Sequence, residues 1–434
     1  MYLQVQPTPL LHGRVVPPSS KSESIRGMMF ALLSPGTSTL INPLNSDDMQ
    51  DAMRVCCQLG AFVSVTPGRL VMQSKGLPIQ TEVKKINTGN SGITTRFIMP
   101  ILGLRQQTTP LVIDCGEQMR ARPIQSLVHA LQTLGMTIQY VDKHGQLPLV
   151  ISGQLQGGKV EVDGITSQYL SALLIALPCA PMDSQITVKN LHERPYAEMT
   201  CQWLQAHQIR CRHDRQATTD IYYIEGNQRY QSLNTVIAGD FSSASYLIAA
   251  AASTSGRVEL HGLDMQNPQG DKRLVSILQE MGANIGITSS GLIIEGGPIL
   301  QGISIDANDM PDLLPTLAVI GTHAQGKTEI KNVPQARLKE TDRIHSMTDG
   351  LTRLGAKIEE YADGMTIYQS SLHGARVKGY DDHRTVMALS VAGLRATGVT
   401  VIEDSQAINK TFPTFISMMR SLGARMEVID ETRL

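Results

Sequence analysis

Cations and hydroxyls gather where helices are expected to begin. Lys21, Ser22 and Arg26 open one apolar run, Asn90, Ser91, Gly92 and Arg96 a second, and Thr166, Ser167 and Gln168 a third. Later runs open on Asp240, Ser242 and Ser243, on Asp309 and Asp312, and on Asp382, His383 and Arg384. A second set of segments, "RARPIQ", "ERPYAEM", "GDKRLV", "RLKETDRI" and "NKTFPTF", puts Arg122, Arg194, Arg273, Lys339, Arg343 and Lys410 near further helix starts. A cation there opposes the helix dipole, so stability alone favours Asp or Glu. Free N–H groups beside a Lys or Arg make an anion site instead. One such arginine reads as a solvated side chain beside a cap. Their recurrence points to a cleft between two domains that collects phosphate and carboxylate groups.

The elements that must position these groups repeat. Six amphipathic segments end alike: "MRVCCQLGAFV", "VHALQTLGMTI", "CQWLQAHQIRC", "LVSILQEMGANI", "TDGLTRLGAKI" and "ISMMRSLGARM". Their turn positions are Gly60, Gly135, His207, Gly282, Gly355 and Gly423, about 70 residues apart. Glycine there suits a left-handed helix C-cap before a strand. His207 is expected to take the same positive φ.

Before each of these lies a helix of small and apolar residues, such as "SKSESIRGMMFALL" or "DFSSASYLIAAAAS". Such helices are apolar around their circumference and should be buried, with their amphipathic partners outside. Each unit reads β-α-β-α-β-β. Six units make an α/β chain of two domains with three repeats each, closed around buried helices rather than stacked as a solenoid. The boundary is expected near Thr235–Gly239.

Composition narrows the function. The 434 residues carry a formal net charge of -1 and 41% hydrophobic residues, the profile of a soluble globular chain with no basic footprint for nucleic acid or membrane. No apolar run reaches the roughly 18–20 residues that span a bilayer. The N-terminus lacks a basic and then apolar signal pattern. A cytoplasmic protein is expected. The six cysteines show no CxxC pair or His-linked metal spacing, so they read as buried reduced thiols and no metal is expected. "GTHAQGKT" (Gly321 to Thr328) fits the P-loop pattern, but that motif needs a strand before and a helix after it. An apolar helix precedes it and a strand-like segment follows, so it reads as an ordinary helix-to-strand turn.

Nine motifs then resemble one family in order: "SKSESIRG", "TGNSGITTR", "GEQMRARPI", "TSQYLSALL", "ERPYAEMT", "GDFSSASY", "RLKETDRI", "DDHRTVMAL" and "NKTFPTF". They are similar to those of 5-enolpyruvylshikimate-3-phosphate (EPSP) synthases, from about Gly13 to the C-terminal segment. The resemblance implies an inside-out α/β barrel in each of two domains, 1–19 with 238–434 and 20–237, and an active site in the cleft. It implies transfer of the enolpyruvyl group of phosphoenolpyruvate to the 5-hydroxyl of shikimate 3-phosphate, with no cofactor, by a monomer.

Roles follow from the same resemblance. Lys21 touches both substrates. Ser22, Arg26, Thr166, Ser167, Tyr196, Gln335 and Lys339 hold the acceptor. Gly92, Arg122, Gln168, Arg343, Arg384 and Lys410 hold phosphoenolpyruvate. Asp312 is the general base on the acceptor hydroxyl, and Glu340 or Lys21 transfers the proton at the methylene carbon.

Some residues depart from the pattern. Glu193 stands where many members place a serine on the acceptor phosphate, and a carboxylate there would repel it. Glu193 is therefore expected to point away while Arg194 compensates, or else the acceptor differs. Gln335 replaces an Asn of some members, Ile93 a threonine and Phe97 a proline. The competing readings are an enolpyruvyl transferase for another alcohol, such as a UDP-sugar, and a non-catalytic anion-binding homologue. The UDP-sugar relatives carry a Lys-Asn pair and a reactive loop cysteine. This chain has Lys21-Ser22, and Cys115 at the end of "PLVIDC" reads as structural.

Overall fold

The computed structural model describes residues 1–430 and 432. Its strands form six four-stranded sheets with one internal plan. In every sheet the first strand of the repeat runs parallel to the second, and the fourth lies antiparallel between second and third. A parallel pair needs a crossover and an antiparallel pair only a turn. The β-α-β-α-β-β order supplies both: a buried helix between strands one and two, and a tight hairpin between strands three and four. Three sheets take a strand from elsewhere in the chain. Asn234–Val236 pairs with Gly36–Ile41, Leu10–Val15 with Ser255–His261, and Tyr2–Val5 lies between Thr400–Ile402 and Met426–Ile429. The sheets stay separate, so what is inside-out is the burial of the helices rather than a closed strand barrel.

The chain divides into two compact units, Lys21–Ile237 and Met1–Ser20 with Ala238–Leu434. Each has its own core. In the first, the helices Lys21–Leu33, Gly92–Ile101 and Ser167–Ala176 are buried along almost their whole length, and the middle one packs on the other two. In the second, Phe241–Ser253, Leu314–His323 and His383–Arg395 pack mutually. Leu170 and Leu317 are fully inaccessible, so trimming either to Ala would cost about 2–5 kcal/mol. The partner helices bury one stripe only. Asp47–Gln58 buries Met49, Ala52, Val55 and Cys56, the helical spacing of a half-wet face.

Caps fix where the buried helices start. Ser91, Thr166, Asp240 and Asp382 each accept an amide proton of the following turn through their side chains. Gly60, Gly135, Gly282, Gly355 and Gly423 close the outer helices with φ between 95° and 102°. His207 does not. Its φ is -87°, and the left-handed residue is Gln208 at 58°. His207 is instead buried beside Phe30 (ring centroids 5.0 Å apart) and Tyr230 (5.2 Å), and burial pushes its imidazole down to about 4.

The P-loop look-alike lies at the end of Leu314–His323 and runs into the strand Lys327–Lys331, the reverse of the order a phosphate loop needs. The thiols are not all buried: Cys57 is exposed, and Cys201 and Cys211 are partly so. Among the described residues no helix is long and apolar enough to cross a membrane.

Candidate active site

In the unit built on Ala238–Leu434, three helix starts bring charged groups together. Arg343, first residue of the helix Arg343–Arg353, is buried and has three carboxylate partners. Its Nε donates to Asp382 Oδ2 at 2.9 Å, Nη1 to Asp312 Oδ1 at 2.6 Å and Nη2 to Glu340 Oε2 at 2.5 Å. Arg384 donates from Nη2 to the other oxygen of Asp312 at 2.8 Å. Asp382 also accepts the Arg384 amide at 2.7 Å, so one carboxylate caps a helix and aims an arginine.

Burial would raise the Asp312 carboxyl, but Arg384, Arg343 and Lys339 outweigh it and hold the group far below its usual range. Arg343 is held fully charged: burial lowers its pKa, and Asp382, Glu340 and Asp312 more than restore it. Lys410 donates to the Asp381 carbonyl at 2.7 Å and its carboxylate at 3.1 Å. Gln335 is buried, with Nε2 on the Asn308 carbonyl at 2.8 Å.

The unit Lys21–Ile237 carries a second group of sites. Lys21 begins the first buried helix, and its Nζ meets Asp48 Oδ2 at 2.9 Å. Gly92 begins the second. A Cβ there would sit 2.4 Å from Arg122 Nη1 and 3.1 Å from Arg96 Nη1, so the missing side chain is what lets two guanidinium groups lie against the helix start. Arg96 Nη1 donates to Gln168 Oε1 at 2.7 Å, tying the second buried helix to the third.

Arg26 is deeper. It donates to Thr200 Oγ at 2.8 Å, the Tyr196 carbonyl at 2.9 Å, the Ser22 carbonyl at 3.0 Å and Ser171 Oγ at 3.2 Å, and lies over the Phe97 ring. It thereby orders Ser22 and Tyr196.

Glu193 contradicts the expectation that it points away. Its Oε2 accepts from Ser167 Oγ at 3.0 Å, and from Ser167 N and Thr166 Oγ at 3.3 Å. Arg194, expected to compensate, sets its guanidinium on Asp220 at 2.5 and 2.9 Å. Arg273 is exposed and joins neither cluster. Cys115 is buried beyond the strand Leu111–Asp114, where desolvation pushes its thiol up to about 11, unsuited to a nucleophile.

Sequence reasoning missed the partners more than the cations. Asp48, Asp382, Asp381 and Arg96 align the groups just described. Asp381, Asp382 and Arg96 stand in the quoted motifs but were given no role, and Asp48 lies outside them. Among the described residues no group of three or more His, Cys, Asp or Glu side chains is disposed to hold a metal ion.

Two units of three repeats, with cations held by carboxylates at helix starts, define a two-domain α/β protein whose charged clusters suit anionic ligands. The chain matches the family described as EPSP synthase (3-phosphoshikimate 1-carboxyvinyltransferase) over residues 5–419. A 3-phosphoshikimate 1-carboxyvinyltransferase of Acetivibrio thermocellus is 42% identical over 412 residues, 95% of this chain and 96% of that protein. Another, of Methanocaldococcus jannaschii, is 37% identical over 99% of this chain and all of that one. In fold, the chain is similar to EPSP synthase of Acinetobacter baumannii, with a TM-score of 0.83 at 24% identity over 99% of this chain and 100% of that one. The chain belongs to the EPSP synthase family. Membership makes it an enzyme, a carboxyvinyl transferase.

Proposed function

We propose that the chain moves the enolpyruvyl group of phosphoenolpyruvate to the 5-hydroxyl of shikimate 3-phosphate and releases phosphate, a step of the shikimate pathway toward chorismate and the aromatic amino acids. The observation that carries this reading is Asp312 held between Arg343 and Arg384, with Glu340 on the same arginine.

Phosphoenolpyruvate brings a phosphate and a carboxylate, which Arg343, Arg384, Lys410 and Arg122 receive, with Gly92 opening the backbone and Gln168 set by Arg96. The acceptor lies on Ser22, Thr166, Ser167, Tyr196, Gln335 and Lys339, and Lys21 reaches both substrates. Arg26 acts on the acceptor through the Ser22 and Tyr196 backbone that it holds.

Asp312 then takes the proton of the acceptor hydroxyl as the oxygen attacks C2 of the enolpyruvyl group. Glu340 or Lys21 delivers a proton to the methylene carbon, which becomes a methyl group in a tetrahedral intermediate. Loss of a methyl proton and departure of phosphate restore the double bond. A carboxylate gripped by two arginines is a weak base in the empty enzyme. Substrate anions on Arg343 and Arg384 share that grip and raise its proton affinity when a base is needed. The surrounding cations stabilise the intermediate and the leaving phosphate.

Phosphate release from phosphoenolpyruvate, measured with and without shikimate 3-phosphate, tests the reading. Release that depends on the acceptor is expected. A folded protein that binds phosphoenolpyruvate but releases nothing with this acceptor would overturn it.

A further inference from the structure

The Glu193 carboxylate lies in a pocket made of two hydroxyls and a helix-terminal amide, those of Thr166 and Ser167. That donor set suits an anion. The residue is 2% exposed and has a left-handed backbone, φ 55° and ψ 36°, which a side chain with a Cβ adopts at a cost. It stands three residues past Asn190, the left-handed turn residue after the strand Ser184–Lys189, so the ordinary repeat geometry does not demand a second one. Both terminal nitrogens of its neighbour Arg194 are on Asp220, which His213 also contacts at 2.7 Å.

We propose that Glu193 is a specificity-determining residue: a resident anion that occupies the acceptor-phosphate pocket and must be displaced when the phosphorylated acceptor binds. The inference rests on the reading of Thr166 and Ser167 as ligands of that phosphate. A carboxylate and a phosphate cannot share the same donors, because two like charges in contact in a buried pocket repel strongly. The incoming phosphate must therefore take the hydroxyls and the amide while Glu193 swings out. An alcohol without the phosphate has nothing to exchange for them and leaves Glu193 in place. Glu193 thus lowers affinity for the phosphorylated acceptor alone.

The test is calorimetric titration of the full-length protein and its Glu193→Gln and Glu193→Ser variants with shikimate 3-phosphate, shikimate and phosphoenolpyruvate, followed by steady-state kinetics. Both variants should bind shikimate 3-phosphate at least about tenfold more tightly, with acceptor KM falling in parallel. Affinities for shikimate and phosphoenolpyruvate should stay within about threefold. Gln keeps the length and removes only the charge, which guards against a packing effect of Ser. If both variants bind shikimate 3-phosphate no better than the parent, while all three bind it, the resident-anion role is wrong and the assigned acceptor stands. If none of the three binds it, the acceptor assignment itself falls, and this inference falls with it.

Discussion

Asp312 and Arg343 meet at 2.6 Å, and the second oxygen of the same carboxylate meets Arg384 at 2.8 Å. One small side chain thereby fixes two cations 41 residues apart in sequence. Asp312→Asn keeps the size but removes the base and half the charge pairing. The expected result is a fall in kcat of about 10²–10⁴ with phosphoenolpyruvate bound no more weakly, since an anion that competes for the arginines has gone. Single-turnover phosphate release and equilibrium binding separate the two effects. The carboxyl is depressed in the folded state, so the stability it contributes is complete above about pH 4 and is lost only as pH falls below that. An acid limb of kcat/KM between pH 5 and 7, which reports the free enzyme, therefore belongs to another group.

Asp271 shows the opposite behaviour. It is buried, Ser242 Oγ donates to one of its oxygens, and burial followed by the negative charge of Asp312 pushes its carboxyl well above the usual range despite Arg384. The folded protein keeps a proton that the unfolded chain releases from about pH 4 upward, so stability falls as pH rises toward the elevated value. Asp271→Asn should remove this term. Chemical denaturation should find the variant more stable than the parent at pH 8, by on the order of 2 kcal/mol, and little different at pH 4. Equal pH slopes for the two proteins would show that Asp271 titrates normally.

The repeats were legible because their punctuation is local. Gly60 or Gly355 answers a backbone requirement that any reader of the chain can apply. His207 misled because its conformation is set by Phe30 and Tyr230, brought from distant parts of the chain. Cations at helix starts were equally visible, yet Arg194 and Arg273 look like Arg343 in sequence. What separates them is the partner: Asp220 draws Arg194 aside, whereas Asp312 and Asp382 hold Arg343. The direction of Glu193 had the same cause. Sequence shows a charge where a serine was expected, but only the fold shows which donors it can reach.

Gly92→Ala isolates the role of a missing Cβ. Gly92 is helical, without a positive φ, so Ala is favoured there by up to about 1 kcal/mol in helix propensity. The clash is with the end of the Arg122 side chain rather than with backbone, and that end can move. Thermal stability should stay equal or rise, while KM for phosphoenolpyruvate rises about tenfold because the guanidinium leaves its place. Steady-state kinetics beside a melting curve would settle it. A destabilised variant with unchanged KM would mean that the space at Gly92 serves packing alone.

Arg26 poses the converse question, since resemblance puts it on the acceptor while the fold surrounds it with protein. Its guanidinium satisfies two hydroxyls and two carbonyls inside the unit, and burial lowers its pKa only to about 10, so it is charged at neutral pH. Arg26→Ala would leave several buried acceptors short of a donor at about 1–3 kcal/mol each, in total on the order of 4 kcal/mol once neighbouring hydroxyls rearrange. Lys lacks the planar fork and cannot reach these acceptors together, so Arg26→Lys should recover only part of the loss. The acceptor should then bind more weakly in proportion to the disorder of Ser22 and Tyr196. Urea unfolding of both variants, with acceptor titrations under native conditions, reads the two effects separately. Full stability with acceptor binding abolished would assign Arg26 a direct contact with the ligand, because a purely internal role predicts that stability falls first.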